Sequence, residues 1–320
     1  MRRSLAVISL AATVFLGGCA NSESPAAPTR TGTYTEMPMP AQATTIVSSS
    51  PLPTANPDQC GNPLASLRPS TAGGPTVDAI RARGRLIVGL DTGSNLFSFR
   101  DPKSGTIMGF DADIAREIAK DLLGDASLID FRTIGSSDRE KALKSHTVDI
   151  VAKTMSITCE RRKDVTFSTV YLQASQRVLV VQDSGINGIA DLAGKRVCVV
   201  PRTTSMDNIR RGQPAASLLT VPSWADCLVA LQQRQVDAVS TDDAILAGMA
   251  AQDPYTAVVG GPISPEPYGI GIPKGDDDLV RFVNATLERI RTSGRWQELY
   301  DEWLVGALHE SSPPTPTYQD

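Results

Sequence analysis

Residues Asp149–Ser168 read DIVAKTMSITCERRKDVTFS. Ile150, Val151 and Ala152 form a short apolar run of the kind that ends a buried strand. Thr154, Ser156 and Thr158 follow at alternate positions, so their hydroxyls share one face if the backbone stays extended. Arg161 comes one short turn later. Hydroxyl and backbone N–H donors beside a guanidinium, which can give two parallel charge-assisted bonds, are what a bound carboxylate requires. A surface Arg after a polar turn reads the same way in isolation, so the flanking sequence has to decide.

Outward from this stretch, strand-like runs alternate with helical periods. On the N-terminal side, Arg85–Leu90 reads as a strand and Leu128–Ile134 as another. Between them Phe110, Ile114, Ile118 and Leu122 recur at helical spacing, with Asp111 placed to cap. Ser136 and Ser137 open a helix that includes Arg139. On the C-terminal side, Lys195–Val200, Leu218–Val221, Val236–Ser240 and Thr256–Val259 read as strands separated by helices, and Asp276–Thr292 as a long amphipathic helix. Such alternation predicts an α/β fold with two mostly parallel sheets. Ligands in these folds bind beyond the carboxyl ends of strands. Asp91, Thr154, Ser156, Thr203 and Asp242 each fall just after a predicted strand, which makes a converging polar cluster.

The chain has 320 residues, room for about two domains, and its net charge of −4 gives no sign of a nucleic-acid partner. Aromatics at 5% are too sparse for base- or sugar-stacking platforms. Arg2 and Arg3 precede an apolar run, Leu5–Leu16, too short to span a bilayer well, so residues 1–19 read as a targeting segment. Its end, Leu16-Gly17-Gly18-Cys19, resembles a bacterial lipobox. That resemblance implies an exported protein held by lipid on Cys19 at the outer face of the cytoplasmic membrane; an ordinary signal peptide cut nearby is the alternative. Residues 20–75 are Pro-, Ser- and Thr-rich and read as an extended, mobile linker. Residues 306–320 are Pro-rich and read as a disordered tail. Cys60, Cys159, Cys198 and Cys227 are an even number outside the cytosol, which predicts two disulfides with three possible pairings. No C-x-x-C spacing points to zinc, and no motif points to a cofactor.

The motifs LIVGLD ending at Asp91, GFDADIAREIA from Gly109, VDIVAKTMSITCERRKDVTFSTVY, DLAGKRVCVV, VDAVSTDDAIL and YGIGIPKGDDDL together resemble the periplasmic binding proteins of the polar-amino-acid ABC transporter family, type 3. More narrowly they resemble mycobacterial-type glutamine/glutamate-binding lipoproteins. The resemblance covers about Ile80–Trp303. It implies the two-lobed periplasmic-binding-protein fold (class II), two mixed mostly parallel sheets joined by two hinge strands. Residues 76–171 plus 270–305 would form a discontinuous first lobe and 176–266 the second, with hinges near Tyr171–Gln176 and Glu266–Gly269. It also implies that Arg161 grips a ligand α-carboxylate with Ser156 and the Thr154 backbone, that Asp242 accepts from the α-ammonium, and that Thr203 donates at a helix N-terminus. Where glutamine binders often carry aromatics, this chain has Ser94 and Ser136. It has Arg139 where acidic-amino-acid binders carry an Arg. Two guanidiniums against one acid imply glutamate or aspartate before asparagine or glutamine, with Lys153 an extra cation unless it is locally paired. Keeping bridges from stapling the lobes together implies the pairs Cys60–Cys159 and Cys198–Cys227.

The expected function is therefore a monomeric lipoprotein that captures such amino acids and delivers them to an ABC permease. A sensor docking on a membrane signalling protein has the same sequence features. An enzyme resembling cyclohexadienyl dehydratase is the third reading. Against it, His146 and His309 fall in a loop and the tail, and no nucleophile, zinc or phosphate-loop motif occurs.

Overall fold

The computed structural model describes residues 37–47, 52 and 60–320. The targeting segment with Cys19 and much of 20–59 lie outside the described residues. The chain first lays down β1 (Thr44–Ile46) and β2 (Ala65–Ser66), then α1 (Pro75–Arg83). Proline at the start and Gly84 at the end of α1, at φ +74°, fix its limits. β3 (Leu86–Leu90) leads to a small meander, β4 (Gly93–Ser94), β5 (Ser98–Arg100) and β6 (Ile107–Met108), and then to α2 (Phe110–Leu123). β7 (Ile129–Thr133), α3 (Arg139–Lys144), β8 (Ile150–Val151), α4 (Cys159–Arg162) and β9 (Val165–Phe167) complete this run, and β10 (Leu172–Val181) leaves it.

The second run is β11 (Arg196–Val199), α5 (Thr204–Gly212), β12 (Ser217–Thr220), α6 (Trp224–Gln232), β13 (Ala238–Asp242), α7 (Asp243–Ala250) and β14 (Thr256–Tyr268). The chain then returns through β15 (Gly271–Pro273), α8 (Asp277–Thr292), α9 (Arg295–Trp303), α10 (Val305–Leu308) and β16 (Thr317–Tyr318).

Two mixed sheets result, one to a lobe. The five-stranded sheet has the order β7-β3-β8-β15-β9, with β3 parallel to β7 and β8. The six-stranded sheet has the order β1-β12-β11-β13-β10-β14, with β11 parallel to β12 and β13, and β10 antiparallel to both its neighbours. The chain crosses between the sheets at residues 168–171 and again at Gly269 and Ile270.

Each sheet buries its own apolar surface. Against the first lie Phe110, Ile114 and Ile118 of α2 with Leu279, Val283 and Leu287 of α8. Phe110 stacks on Tyr171 and meets Trp296 edge-on, and the Trp296 indole N–H donates to the Tyr171 carbonyl at 2.7 Å. This aromatic group closes the core beside the chain crossing. In the second lobe the Cys198–Cys227 bridge ties β11 to α6 inside a cluster with Leu179, Val239 and Leu231. Cys60–Cys159 joins the linker to α4.

Two segments depart from the expectation of a mobile linker and a disordered tail. β1, inside the linker, adds an antiparallel edge strand to β12 through Thr44–Ile46. β16, in the tail, pairs in parallel with β2, and the Asp320 carboxylate takes the Arg68 N–H at 2.9 Å and the Arg281 guanidinium at 2.9 Å. Backbone hydrogen bonds to distant partners order these proline-rich pieces, which cannot order themselves. The bridge at Cys60 closes a span of 99 residues. Cys60→Ser is therefore expected to cost about 2–5 kcal/mol of unfolding free energy. Urea unfolding would measure it, and an unchanged midpoint would show that this bridge contributes nothing to stability.

Candidate functional site

The backbone after β8 does not stay extended. Thr154 has φ +40°, a left-handed conformation that a β-branched residue adopts at a cost of about 1–3 kcal/mol. Two clamps hold it there. The Thr154 N–H donates to Asp111 Oδ2 at 2.9 Å, and Asp111 Oδ1 accepts from the Tyr171 hydroxyl at 2.6 Å. From the other side Arg139 Nη1 donates to the carbonyls of Lys153 at 3.0 Å and Thr154 at 3.2 Å, while its Nε donates to the Ser136 carbonyl at 2.9 Å. Asp111 therefore does not cap α2, as its position suggests; its side chain is spent on the binding loop. Burial pushes its carboxyl up to about 6, against the pull of the Tyr171 and Thr154 hydrogen bonds. The turn at Thr154 also breaks the run of hydroxyls. Ser156 pairs with Tyr268 as an isolated bridge, and Thr158 caps α4 by accepting the Arg161 N–H.

Ser136, Arg139, Thr154 and Ser156 line one wall of a small cavity of about 10 Å³. The opposite wall comes from the second lobe: Thr203, Thr204 and Ser205 at the start of α5, Thr241 and Asp242 at the end of β13, and Trp224 and Ile245. Thr203 caps α5, accepting the Met206 N–H at 3.2 Å while its hydroxyl donates to the Val200 carbonyl at 2.7 Å. Asp242 is 3% exposed. Its Oδ2 accepts from the Tyr268 hydroxyl at 2.6 Å, and its Oδ1 is buried with no hydrogen-bond partner among the described residues. Burial, then the neighbouring Glu266 carboxylate, push the Asp242 carboxyl well above the ordinary range. Burial, then Arg161, bring the Arg139 guanidinium down to about 9.

The two other residues expected at the site stand beside the cavity and do not line it. The Lys153 ammonium pairs with Asp91 and is buried, so it is locally spent. Burial works to raise the Asp91 carboxyl, but Lys153 together with the Gly93 and Thr92 N–H groups outweighs it and holds the group below its ordinary value. Arg161 gives its Nε to Glu140 Oε1 at 3.1 Å and its Nη1 to the Ser156 carbonyl at 2.7 Å. Glu140 Oε2 also meets Arg202 Nη2 of the second lobe at 3.4 Å. The expected count of two guanidiniums against one acid thus becomes, in the cavity wall itself, one guanidinium and one carboxylate.

Thr204, Ser205, Trp224, Thr241 and Ile245 are lining residues that the sequence reading omits. Trp224 was findable, because it opens a helix just after a predicted strand, as Thr203 does. Thr241 was not, since strict alternation sends it to the face opposite Asp242. The wall as a whole presents hydroxyls, one cation, one acceptor in need of a donor, and a small apolar side. That set fits a compact zwitterion.

Residues 86–306 match the model for "Bacterial extracellular solute-binding proteins, family 3". The chain belongs to this family. Like other family 3 solute-binding proteins, it has the two-lobed α/β fold. The glutamine-binding protein GlnH of a Bacillus subtilis ABC transporter is 40% identical over 230 residues, covering 72% of this chain and 84% of that protein. The glutamate-binding protein GluB of Corynebacterium glutamicum is 32% identical over 246 residues, 73% of this chain and 83% of that one. A crystal structure of a mutant of ArgBP from T. maritima superposes with a TM-score of 0.67 at 32% identity, over 72% of this chain and 99% of that one. As a family 3 protein this chain is an amino-acid-binding component of the ABC type, and the relatives are named for binding rather than catalysis.

Proposed function

We propose that this protein captures a polar amino acid outside the cytoplasm, closes its lobes about the two chain crossings, and hands the ligand to an ABC permease. The observation that carries this reading is Asp242 Oδ1, unpartnered among the described residues, in the cavity wall opposite Arg139 and the first-lobe hydroxyls. A buried carboxylate oxygen without a donor is costly unless a ligand ammonium supplies one. The ligand carboxylate then falls to Arg139, Thr154 and Ser156, and to the N-terminus of α5, where Thr203 stands. Arg161 acts from behind by fixing Ser156, and Lys153 by fixing Asp91.

Glutamine is the favoured ligand. With Arg161 neutralised by Glu140, the cavity offers one positive and one negative charge, which balances a zwitterion with an uncharged side chain. The relative at 40% identity is named for glutamine. Glutamate is the second reading, favoured by the buried guanidinium of Arg139 in the wall. Calorimetry of the purified chain with glutamine, glutamate, aspartate, asparagine and arginine tests both. Glutamine is expected to bind tightest and glutamate at least tenfold more weakly; binding of arginine alone, or of none of them, would sink the reading. Arg139→Met is expected to weaken glutamine by tens-fold or more, since it removes a charge partner and frees the Thr154 carbonyl together.

The membrane attachment we propose is lipid on Cys19, which lies outside the described residues. Labelling with a palmitate analogue should mark the chain and fail with Cys19→Ser. Delivery to a permease is favoured over signalling by the ABC-transporter relative. Loss of labelled glutamine uptake in cells lacking the protein is the corresponding test.

A further inference from the structure

Glu266 is 2% exposed, on β14 opposite Ala174 of β10, and no ion pair reaches it among the described residues. Three neutral donors converge on it. The Thr204 hydroxyl reaches Oε2 at 2.8 Å, the Ser264 hydroxyl reaches Oε1 at 2.7 Å, and the Asn208 amide reaches Oε1 at 3.3 Å. Thr204 is itself a lining residue, so the carboxylate stands in direct contact with the cavity lining. Two positions along β14, Tyr268 donates to Asp242. A purely structural acceptor here would be met by glutamine at lower desolvation cost, because a charge buried without a counter-ion is expensive. A charge so placed acts on whatever occupies the cavity, and the low local dielectric leaves its field poorly screened.

We propose that Glu266 is a specificity-determining residue of this site: its buried carboxylate, bonded to the lining residue Thr204, repels a second negative charge on the ligand and so separates glutamine-type from glutamate-type side chains. The inference rests on the amino-acid-binding reading above. It has a second consequence through Asp242. The groups that bear on Asp242 are Glu266, Asp243, Tyr268 and Arg139, of which Glu266 and Asp243 oppose its ionisation. Asp242 must be ionised to accept an ammonium well. Binding therefore weakens as pH falls through its titration, and Glu266 places that fall at a higher pH than it would otherwise have.

Calorimetry with L-glutamine and L-glutamate across pH, on the full chain, tests this. For Glu266→Gln, which keeps the shape, the glutamate-to-glutamine affinity ratio is expected to rise at least tenfold, and the pH midpoint of glutamine binding to move down. Glu266→Asp, which keeps the charge, should retain the wild-type ratio. Asn208→Lys offers an ammonium to Glu266 from α5 without touching it and should raise the ratio in the same direction; it serves if Glu266→Gln fails to fold. An equal loss of both ligands with an unmoved midpoint, in either charge-removing variant, overturns the proposal. If the wild type binds neither amino acid, the functional reading fails instead, and the two failures are distinct.

Discussion

Asp242→Ala is expected to lower glutamine affinity by about 2–5 kcal/mol, that is from tens-fold to several thousand-fold, because it strands a ligand ammonium in a buried site. The same change should not destabilise the free protein at neutral pH, and the sign follows from linkage. Burial and Glu266 raise the Asp242 carboxyl in the folded state above its ordinary value of 3.8. An acid raised in this way favours the folded state fully below that ordinary value, and this contribution is lost as pH rises through the folded one. At neutral pH Asp242 is therefore a cost to the fold, offset in part by its bond to Tyr268. Asp242→Asn, which can keep that bond, should unfold at a higher urea concentration than wild type at pH 7, with the gap closing below about pH 4. Ligand binding has the opposite sign, improving as Asp242 ionises. A variant that loses binding and stability together at pH 7 would make Asp242 an ordinary core residue and remove the main support for the site.

This trade-off bears on what could be read from residues alone. Apolar runs marked most strands of both sheets, though not the edge strand β1, and helices such as α2 and α8, since their faces are large and periodic. It also placed Asp242 and Thr203 at strand ends, where a doubly wound fold collects its ligands. Pairings between two-residue strands far apart in the chain left no such trace. β16 meets β2 through Thr317 and Ala65, and nothing in a proline-rich tail announces that partner. Side-chain pairing was equally hidden. Arg161 read as a free cation and Lys153 as one only if not locally paired, yet Glu140 and Asp91 claim them, and those acids stand at unrelated places in the chain. Asp111 shows the same limit, because a first-turn aspartate ordinarily means a cap. Only the fold brings Thr154 and Tyr171 within its reach.

The second large effect is expected at that aspartate. Asp111→Asn leaves one acceptor oxygen where two hold the Thr154 N–H and the Tyr171 hydroxyl together. Burial raises the Asp111 carboxyl from 3.8 to about 6 in the folded protein. Between those values the folded state binds more protons than the unfolded one, so stability falls as pH rises through the window. At roughly 1.4 kcal/mol per unit, the wild type should lose about 2 kcal/mol between pH 4 and 7 that Asp111→Asn does not lose. Urea unfolding of both proteins at several pH values reads this difference directly. Above pH 6 the ionised carboxylate is also what keeps Thr154 at φ +40°, so the variant should bind glutamine about ten- to a hundredfold more weakly there. The two effects separate the roles of the group. Parallel stability curves would mean that Asp111 titrates at its ordinary value, and unchanged affinity would mean that Arg139 alone holds the loop.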